Sequence, residues 1–219
     1  MHKIGLFGGR FDPVHRAHLS VASAAADQLD LSHIKWIPTG IPVHKRASAT
    51  ADHRLQMLKI ILEDLGDKRM KIDSREITNA KNGIPSYTYK TIQSMRAEFP
   101  ESQFIWILGE DQLLNFRRWR RWQWLINNMD VALCCRPSVD FSLTSEEFLK
   151  EISEKSRNEQ LILRGYGANI TKIDMRPDFC SSTDIRKLLA KKKVPESVNK
   201  KVMEYISSNK LYQLFEEDC

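Results

Sequence analysis

Two histidines three residues apart, His15 and His18, are the side chains whose types and spacing suggest chemistry most clearly. They follow an apolar run that ends at Gly8-Gly9, and Asp12-Pro13 reads as the N-cap and first residue of a helix. Residues three apart share one helix face, so both imidazoles would point at the same anion. Glycines admit a ligand close to the backbone, and a helix N-terminus favours phosphate, so the segment predicts a phosphate site. On residue types alone, it fits equally well a tight turn with two incidental surface histidines.

A second candidate phosphate site lies far along the chain, at Ser181–Arg186. One interpretation is structural, because Ser181 as N-cap and Asp184 three residues later form a capping box. The other is functional, since hydroxyl and N–H groups at a helix N-terminus can hold a phosphate, with Arg186 one turn in as a charged donor. The residues alone favour the capping box.

The composition is compatible with anionic ligands but does not indicate which class of anion the protein binds. The 219-residue chain has 34 Lys and Arg against 28 Asp and Glu, a net charge of +6, and a pI of about 9.1. Nucleotides, nucleic acid and anionic membrane surfaces are all compatible with that charge. The sequence contains no G-x-x-x-x-G-K-[ST] motif and no G-x-G-x-x-G after the first strand, which disfavours P-loop NTPases and classical dinucleotide-binding dehydrogenases. The four cysteines lack C-x2-C spacing, which argues against a zinc site.

The elements that must position these residues alternate between strand-like and helix-like patterns. Phe104–Leu108 and Val131–Cys135 are continuous apolar runs, typical of parallel strands buried on both faces. The repeated alternation predicts βαβ units, and hence an α/β fold with a doubly wound parallel sheet and helices on both faces. Since no linker divides the sequence, we expect one domain over residues 1–219, with a small helical C-terminal part over residues 181–219.

Three local expectations are specific enough to be checked. The first helix is expected to begin at Pro13, a short strand to cover Leu161–Leu163, and a last helix to open at Pro195.

The first residues lack the long apolar core of a signal peptide, and no apolar stretch approaches about 18 residues. Since the cysteines do not indicate a disulfide framework, a reduced, cytoplasmic location is expected.

An unusual segment, Phe116–Trp124, holds three of the five tryptophans and four arginines within nine residues. Aromatic rings stack on bases while arginines contact phosphates, so a nucleic-acid surface is one interpretation. Tryptophans three residues apart are also typical of a buried helix face. Trp122 and Trp124 are assigned to the core.

The segment over residues 8–18, Gly-Gly-Arg-Phe-Asp-Pro-Val-His-Arg-Ala-His, resembles the H-x-G-H region of the nucleotidyltransferase superfamily related to class I aminoacyl-tRNA synthetases. Its surroundings resemble more specifically the bacterial nicotinate-nucleotide adenylyltransferases. Ser181–Arg186 resembles a second signature of that family, Ile-Ser-Ser-Thr-x-Ile-Arg. Arg10 stands where the family usually has Thr or Ser, and Ala17 where it usually has Gly. The resemblance spans the chain and implies a Rossmann-like fold.

The resemblance places the triphosphate of ATP at the two signatures. The ATP-binding residues that it implies are Gly8, Gly9, Arg10, His15, His18, Arg136, Ser182 and Arg186. Among them, it implies catalytic roles for His15, His18 and Arg186, which would offset negative charge in the transition state.

The resemblance assigns nicotinate mononucleotide to the middle of the chain. The family stacks a tryptophan, at the Trp119 position, on the pyridine ring, and the next backbone N–H, here of Arg120, meets the carboxylate. The mononucleotide-binding residues that it implies are His44, Lys45, Tyr87, Thr88, Asp111, Trp119 and Arg120. Without the resemblance, the same segments also fit a basic surface loop, an ordinary N-cap and a surface carboxylate.

The implied reaction is adenylyl transfer from ATP to nicotinate mononucleotide, giving deamido-NAD and pyrophosphate in NAD biosynthesis. The expected partners are these two substrates, with no nucleic acid and no membrane. Mg²⁺ is the expected cofactor, held mainly by the ATP phosphates and water rather than by a protein metal site. The alternatives are another mononucleotide or phosphopantetheine adenylyltransferase and, from a different class, a basic nucleic-acid-binding protein. The sequence leaves open whether the protein forms a homo-oligomer.

Overall fold

A computed structural model of the chain describes residues 2–43, 47–134, 143–175 and 180–213; the side chains of Asp111 and of residues 143–153 lie outside the description. The strands are β1 (Lys3–Gly9), β2 (His33–Pro38), β3 (Met70–Ile72), β4 (Gln103–Gly109), β5 (Asp130–Cys134) and β6 (Ile170–Ile173). The helices are α1 (Arg16–Gln28), α2 (Ala51–Leu65), α3 (Arg75–Lys81), α4 (Thr88–Glu98), α5 (Glu110–Leu113), α6 (Trp122–Ile126), α7 (Leu143–Gly165), α8 (Ser182–Ala190) and α9 (Lys200–Ser208), with a 3-10 turn at Phe116–Arg118.

The described strands form one six-stranded sheet in the order β3-β2-β1-β4-β5-β6. The pairs β1–β4, β4–β5 and β5–β6 are parallel, with Leu6 opposite Trp106 and Gly109 opposite Cys134. This is the order of a doubly wound sheet, in which the chain starts in the middle and winds outward in both directions with helices on both faces. It confirms the predicted α/β fold class. In such sheets, ligands bind outside the carboxyl ends of the strands, where the strand order reverses.

The chain divides into two compact units, each assembled from three stretches. The first, which we call the sheet unit, comprises Met1–Gly8, Val21–Lys35 and Tyr87–Asp178. The second, which we call the histidine unit, comprises Gly9–Ser20, Trp36–Ser86 and Phe179–Cys219. The expectation of a single domain over the whole chain stays a prediction.

Local sequence sets the ends of α2. The hydroxyl of Thr50 accepts the N–H of His53 (3.3 Å), which caps the first turn. Gly66 ends the helix with a left-handed backbone (φ 68°), and its N–H donates to the carbonyl of Leu62. Between these ends, an apolar face that includes Met57 is buried in the core of the histidine unit.

The first helix begins three residues later than expected, at Arg16 rather than Pro13. The prediction was wrong because the carboxylate of Asp12 does not cap the helix but binds a loop distant in sequence. Instead, the backbone N–H of His15 donates to Nδ1 of His18, and that imidazole caps the first turn.

The expected strand over Leu161–Leu163 and the expected helix start at Pro195 were also wrong. Both leucines lie in α7, where Leu163 is buried and Leu161 is 68% exposed. Residues two apart point to different sides of a helix but to the same face of a strand, so a three-residue apolar run was not enough to choose. The last described helix begins at Lys200, because the side chain of Asn199 accepts the next free N–H groups as its N-cap.

The assignment of Trp122 and Trp124 to the core was likewise not met, since both are only half-buried. The buried residues of the short helix α6 are Leu125 and Ile126. Within the described ranges, no helix is long and apolar enough to cross a bilayer.

Candidate active site

The two histidines predicted to bind phosphate lie against each other in the histidine unit. Their ring centroids are 3.8 Å apart, and the ring of Phe11 lies nearly perpendicular to that of His18, with centroids 5.1 Å apart. Nδ1 of His18 accepts the backbone N–H of His15 (3.2 Å), so the neutral His18 ring carries its proton on Nε2. An Nε2–H group is a donor that a phosphoryl oxygen can accept.

Burial sets the protonation state of this pair. Desolvation, and after it the neighbouring His15, holds the pKa of His18 well below its usual value near 6.5, although the bond from the His15 N–H opposes the shift. His18 is therefore a neutral donor at pH 7. A phosphate nearby would favour the charged form and raise the pKa, because an anion stabilises the imidazolium.

The carboxylate of Asp12 anchors the turn that precedes the histidines. It is 1% exposed and accepts the backbone N–H groups of Ser48 (2.6 Å) and Ala49 (3.1 Å). The hydroxyl of Tyr212 also donates to it (2.8 Å). Burial, and then the negative charge of Asp12, raises the pKa of Tyr212, so the phenol stays a donor at physiological pH. The turn is thus fixed by contacts from two distant parts of the sequence.

The structure brings the second signature onto the same turn. Nη1 of Arg186 donates to the backbone carbonyl of Asp12 (2.7 Å) and lies 4.0 Å from its carboxylate. The hydroxyl of Ser182 donates to the carbonyl of Pro13 (3.0 Å). Ser181 is the N-cap of α8, and its hydroxyl oxygen accepts the N–H of Asp184 (3.1 Å), so the capping interpretation is confirmed, whereas phosphate binding by this segment stays a prediction. The two segments predicted to bind phosphate therefore form one cluster within the histidine unit.

Positive charge exceeds negative charge in this cluster. Desolvation, and then the neighbouring Arg186, lowers the pKa of Arg10, while Asp12 opposes the shift. The buried guanidinium of Arg54 donates to the carbonyls of Arg10 (2.7 Å) and Gly40 (3.1 Å). The carboxylates that act on Arg54 are those of Asp12 and Glu76, so three guanidinium groups face two carboxylates, and this excess of positive charge attracts an anion.

The glycine pair at the end of β1 has a packing role besides its predicted ligand role. A Cβ on Gly8 would lie 2.6 Å from Cζ2 of Trp106, and a Cβ on Gly9 would lie 3.0 Å from the ring of Phe11. The first contact is shorter than real Cβ atoms make and the second is tighter than nearly all of them, so both positions disfavour side chains. The predicted contact of these glycines with ATP stays a prediction.

Sequence reasoning missed three residues of this cluster, namely Asp12 as an anchor, Arg54 and Tyr212. The only signal for Asp12 was its place in the Gly-Gly-x-Phe-Asp-Pro segment, where it was interpreted as an ordinary N-cap. Arg54 lies on the otherwise apolar face of α2. A charged residue at such a position indicates a buried side chain with polar partners, so the sequence held a signal for Arg54. Nothing in the sequence near Tyr212 indicates its partner.

Trp119, the residue predicted to stack on the pyridine ring, lies in a cluster of aromatic side chains in the sheet unit. Trp119 is half-buried and has an extended backbone (φ −73°, ψ 137°) directly after the 3-10 turn. Its ring lies 5.1 Å from Phe116 at 33° and 6.2 Å from Trp106 at 80°. One interpretation of the sequence placed the tryptophans of this segment on a continuous helix face. The backbone leaves the helical conformation at Trp119, so Trp119 is not part of such a face.

Two further predicted mononucleotide residues, Tyr87 and Arg120, are in contact. The guanidinium of Arg120 lies 5.3 Å from the centroid of the Tyr87 ring, and that of Arg121 lies 4.9 Å from the Tyr89 ring. Tyr87 is the N-cap residue of α4, so Thr88 is the first residue of that helix. A helix start beside a guanidinium group suits a carboxylate.

These contacts also account for most of the basic segment. Arg117 forms an ion pair with Glu159 (2.6 Å), and Arg120 and Arg121 pack on tyrosine rings, so three of its four arginines have partners within the protein. The remaining one, Arg118, is exposed. The contacts of Arg117, Arg120 and Arg121 within the protein explain their positions without a nucleic acid, although all four arginines of the segment are exposed.

Four predicted site residues cannot be placed in this way. His44, Lys45 and Arg136 lie outside the described residues, and of Asp111 only the backbone, in α5, is described. Within the described residues, no three His, Cys, Asp or Glu side chains are grouped so as to hold a metal ion.

Comparison with known proteins agrees with the resemblance. The cytidylyltransferase-like family model matches residues 6–188. A protein of Neisseria meningitidis serogroup B named "Probable nicotinate-nucleotide adenylyltransferase" is 33% identical over 215 residues, covering 97% of this chain and 100% of that protein. One of the same name from Chromobacterium violaceum is 33% identical, covering 96% of this chain and 99% of that protein.

Solved structures show the same fold. The Plasmodium falciparum nicotinic acid mononucleotide adenylyltransferase complexed with NaAD has a TM-score of 0.72 and 19% identity, covering 97% of this chain and 98% of that one. The same enzyme complexed with APC has a TM-score of 0.69 with the same coverage. The fold and the full-length sequence similarity thus lead to one conclusion: the chain belongs to the cytidylyltransferase-like nucleotidyltransferases, and among them to the nicotinate-nucleotide adenylyltransferase family.

Proposed function

We propose that this protein transfers the adenylyl group of ATP to nicotinate mononucleotide, giving deamido-NAD and pyrophosphate, and that it acts in the cytoplasm in NAD biosynthesis. One observation carries the ATP half of the proposal. Arg186 and Ser182 of the second signature bind the Asp12-Pro13 turn, directly before the His15/His18 pair. Donors from two distant parts of the sequence thereby meet at one turn, and cationic and neutral donors grouped in this way suit the oxygens of a polyphosphate.

The reaction proceeds by in-line displacement. A phosphate oxygen of nicotinate mononucleotide attacks the α-phosphorus of ATP, a new P–O bond forms, and the bond from the α-phosphorus to the oxygen bridging to the β-phosphorus breaks. The electron pair of that bond leaves with pyrophosphate. No protein nucleophile is required, because the attacking phosphate is already ionised. Catalysis then consists of positioning and charge stabilisation.

The residues of the histidine unit supply that stabilisation. His18 presents a neutral Nε2–H donor next to His15, and Arg186 is held in place by the carbonyl of Asp12. Such fixed donors stabilise developing charge without the cost of reorganising solvent. Arg10, whose guanidinium already lies near that of Arg186, would gain most from a bound anion, because the anion offsets their mutual repulsion.

The residues of the sheet unit supply specificity for the pyridine substrate. The half-buried ring of Trp119 offers a stacking surface, and the α4 N-terminus at Tyr87 and Thr88 with Arg120 beside it suits the pyridine carboxylate. The names of the relatives favour the same mononucleotide over other acceptors.

We propose Mg²⁺ as the cofactor, bound to the triphosphate. Mg²⁺ in nucleotide enzymes keeps several waters and binds substrate phosphates, so the ion would arrive with ATP. The ion would supply further neutralisation of phosphate charge, alongside the donors of the histidine unit.

The proposal is tested by measuring pyrophosphate release from MgATP with a panel of acceptors: nicotinate mononucleotide, nicotinamide mononucleotide and phosphopantetheine. We expect the highest kcat/KM with nicotinate mononucleotide, together with deamido-NAD as the product identified by mass. Turnover only with another acceptor would refute the substrate assignment. Salt-sensitive binding of mixed-sequence DNA without any turnover would refute the enzyme class.

A further inference from the structure

Arg54 is a charged side chain that lies almost completely inside the histidine unit. It belongs to α2, and 1% of its surface is exposed. Burial lowers the pKa of its guanidinium, and the nearby carboxylate of Asp12 opposes that shift. Because removing a charged group from water costs free energy, packing alone does not account for an arginine at this position.

The guanidinium of Arg54 joins three backbone segments that are separate in sequence. Nη1 donates to the carbonyl of Arg10 (2.7 Å), Nη2 to that of Gly40 (3.1 Å) and Nε to that of Ala49 (3.3 Å). Arg10 directly follows β1, and Gly40 lies two residues beyond the end of β2. The planar fork of donors, which a lysine lacks, therefore fixes the backbone beside the predicted phosphate-binding turn.

The shortest of these bonds holds the peptide that precedes a strained residue. Phe11 has a left-handed backbone (φ 51°), which a bulky side chain rarely adopts. Such a conformation costs free energy and persists only where the surrounding structure holds it in place. Arg54 binds the carbonyl of the peptide before Phe11, and Arg186 binds the carbonyl of Asp12 after it. The strained backbone is thereby held from both sides.

The ring of Phe11 connects this backbone to His18. It is buried, and its centroid lies 5.1 Å from that of His18 and 5.3 Å from that of Trp36. Buried rings are closely packed and have little room to move independently of their backbone. A change in the backbone at Phe11 would therefore displace the ring against which His18 packs, and with it the Nε2–H donor of His18.

We propose that Arg54 is a positioning residue for adenylyl transfer: by holding the peptide before Phe11, it keeps the Phe11 ring against His18 and so orients the Nε2–H donor of His18 toward the reacting phosphate. This inference rests on the proposed function. The role is indirect, because the guanidinium is buried and donates to backbone carbonyls. It explains why the otherwise apolar face of α2 contains an arginine.

The kinetic test removes the donors and keeps an unbranched side chain. In Arg54→Met we expect kcat to fall tenfold to about a hundredfold, because the transition-state donor is misplaced, with little change in either KM. In the His18→Ala background, Arg54→Met should lower kcat no further, because both changes act through the same donor. Arg75→Met is the matched control, since it breaks a half-buried ion pair with Asp73 (2.7 Å) in the same unit and should leave kcat unchanged.

A conservative variant keeps the test decisive if Arg54→Met does not fold. Arg54→Lys retains the charge, but one ammonium group cannot reach three carbonyls as the planar guanidinium does. We expect its kcat to lie between those of the wild type and Arg54→Met. Wild-type kcat in either folded variant, or a loss that adds to that of His18→Ala, would overturn the inference.

A spectroscopic readout follows the orientation of His18 without turnover. In protein labelled with ¹³C-histidine, the ring Cε1–H signal that His18→Gln removes is sensitive to the ring current of the adjacent Phe11. We expect this signal to move in the Arg54 variants and not in Arg75→Met, and a stationary signal in the Arg54 variants would also overturn the inference. If the wild-type protein turns over no nicotinate mononucleotide at all, the proposed function itself fails. The NMR comparison still tests whether Arg54 positions His18, so the two failures are distinct.

Discussion

Arg186 donates a 2.7 Å hydrogen bond to the backbone carbonyl of Asp12, 174 residues away in sequence. The same guanidinium donates through Nη2 to the hydroxyl of Thr183 (3.3 Å), which fixes its orientation on α8. A planar guanidinium held at two points is pre-organised, so little side-chain entropy remains to be lost when a phosphate binds.

This relationship predicts that charge alone does not replace Arg186. Arg186→Lys keeps the charge but loses the forked donor geometry, so we expect kcat/KM for ATP to fall tenfold to about a hundredfold. Steady-state kinetics of pyrophosphate release measures this. Lys187→Ala, on the exposed side of the same helix, is the control and should behave as wild type. Full activity of the Arg186→Lys variant would show that Arg186 contributes only its charge.

His18 is expected to act in the transition state. His18→Ala removes the Nε2–H donor, and we expect kcat to fall by about 10²-fold or more with a smaller effect on KM. Rapid-quench measurement of the first turnover separates the chemical step from product release. His53, whose Nδ1 lies 2.8 Å from the Tyr205 hydroxyl between α2 and α9, provides the control His53→Ala. An unchanged rate in the His18 variant contradicts the assigned role.

Burial of His18 is expected to make the protein less stable on mild acidification. The pKa of His18 is lowered in the folded protein, chiefly by burial, so the unfolded chain binds more protons than the folded one below about pH 6.5. The free energy of unfolding is then fully retained above that pH and decreases as the pH is lowered through it. Urea unfolding at pH 7.5, 6.5 and 5.5 measures the slope. His18→Gln should flatten the dependence, whereas an unaltered slope in that variant would rule out His18 as its source.

Gly8 is expected to be required for packing. Gly8→Ala would place a Cβ 2.6 Å from the indole of Trp106, and we expect a loss of about 1–3 kcal/mol in the free energy of unfolding. Gly165→Ala is the control, since nothing lies within 4 Å of a Cβ there. Adding Trp106→Leu to the Gly8→Ala variant should recover part of the loss in a double-mutant cycle. Strictly additive effects would mean that the two residues do not contact each other in this way.

Trp119 is expected to bind substrate rather than to support the core. Trp119→Ala should raise the KM for nicotinate mononucleotide about tenfold and the KM for ATP little, because one stacking contact is lost. Trp124→Ala, at another half-buried tryptophan of the same segment, should change neither KM selectively. If Trp119→Ala affects both substrates equally and lowers the melting temperature, the ring is structural.

The sequence was sufficient for features whose cause is local. The apolar runs of β4 and β5 predicted buried parallel strands, and the capping box at Ser181 predicted the start of α8. Both depend on residues within a few positions of one another. Membership of the family likewise followed from short segments that retain their residue order.

The features that were missed depend on distant partners or on patterns too short to decide. The start of α1 moved because Asp12 binds Ser48 and Ala49, which lie 36 and 37 residues away. The end of α7 was mistaken for a strand because a short apolar run does not distinguish a strand from one face of a helix. No local pattern encodes the pairing of Tyr212 with Asp12, since 200 residues separate them.

The hydrogen bond between Tyr212 and Asp12 has a consequence for folding during synthesis. A ribosome delivers Asp12 long before Tyr212 and Arg186, so during synthesis the anchoring carboxylate lacks the partners that later surround it. Contacts of such sequence separation form slowly, because a long loop must close before they contribute. The nascent histidine unit therefore remains incomplete while the sheet unit is translated, and catalytic competence arrives as one late event.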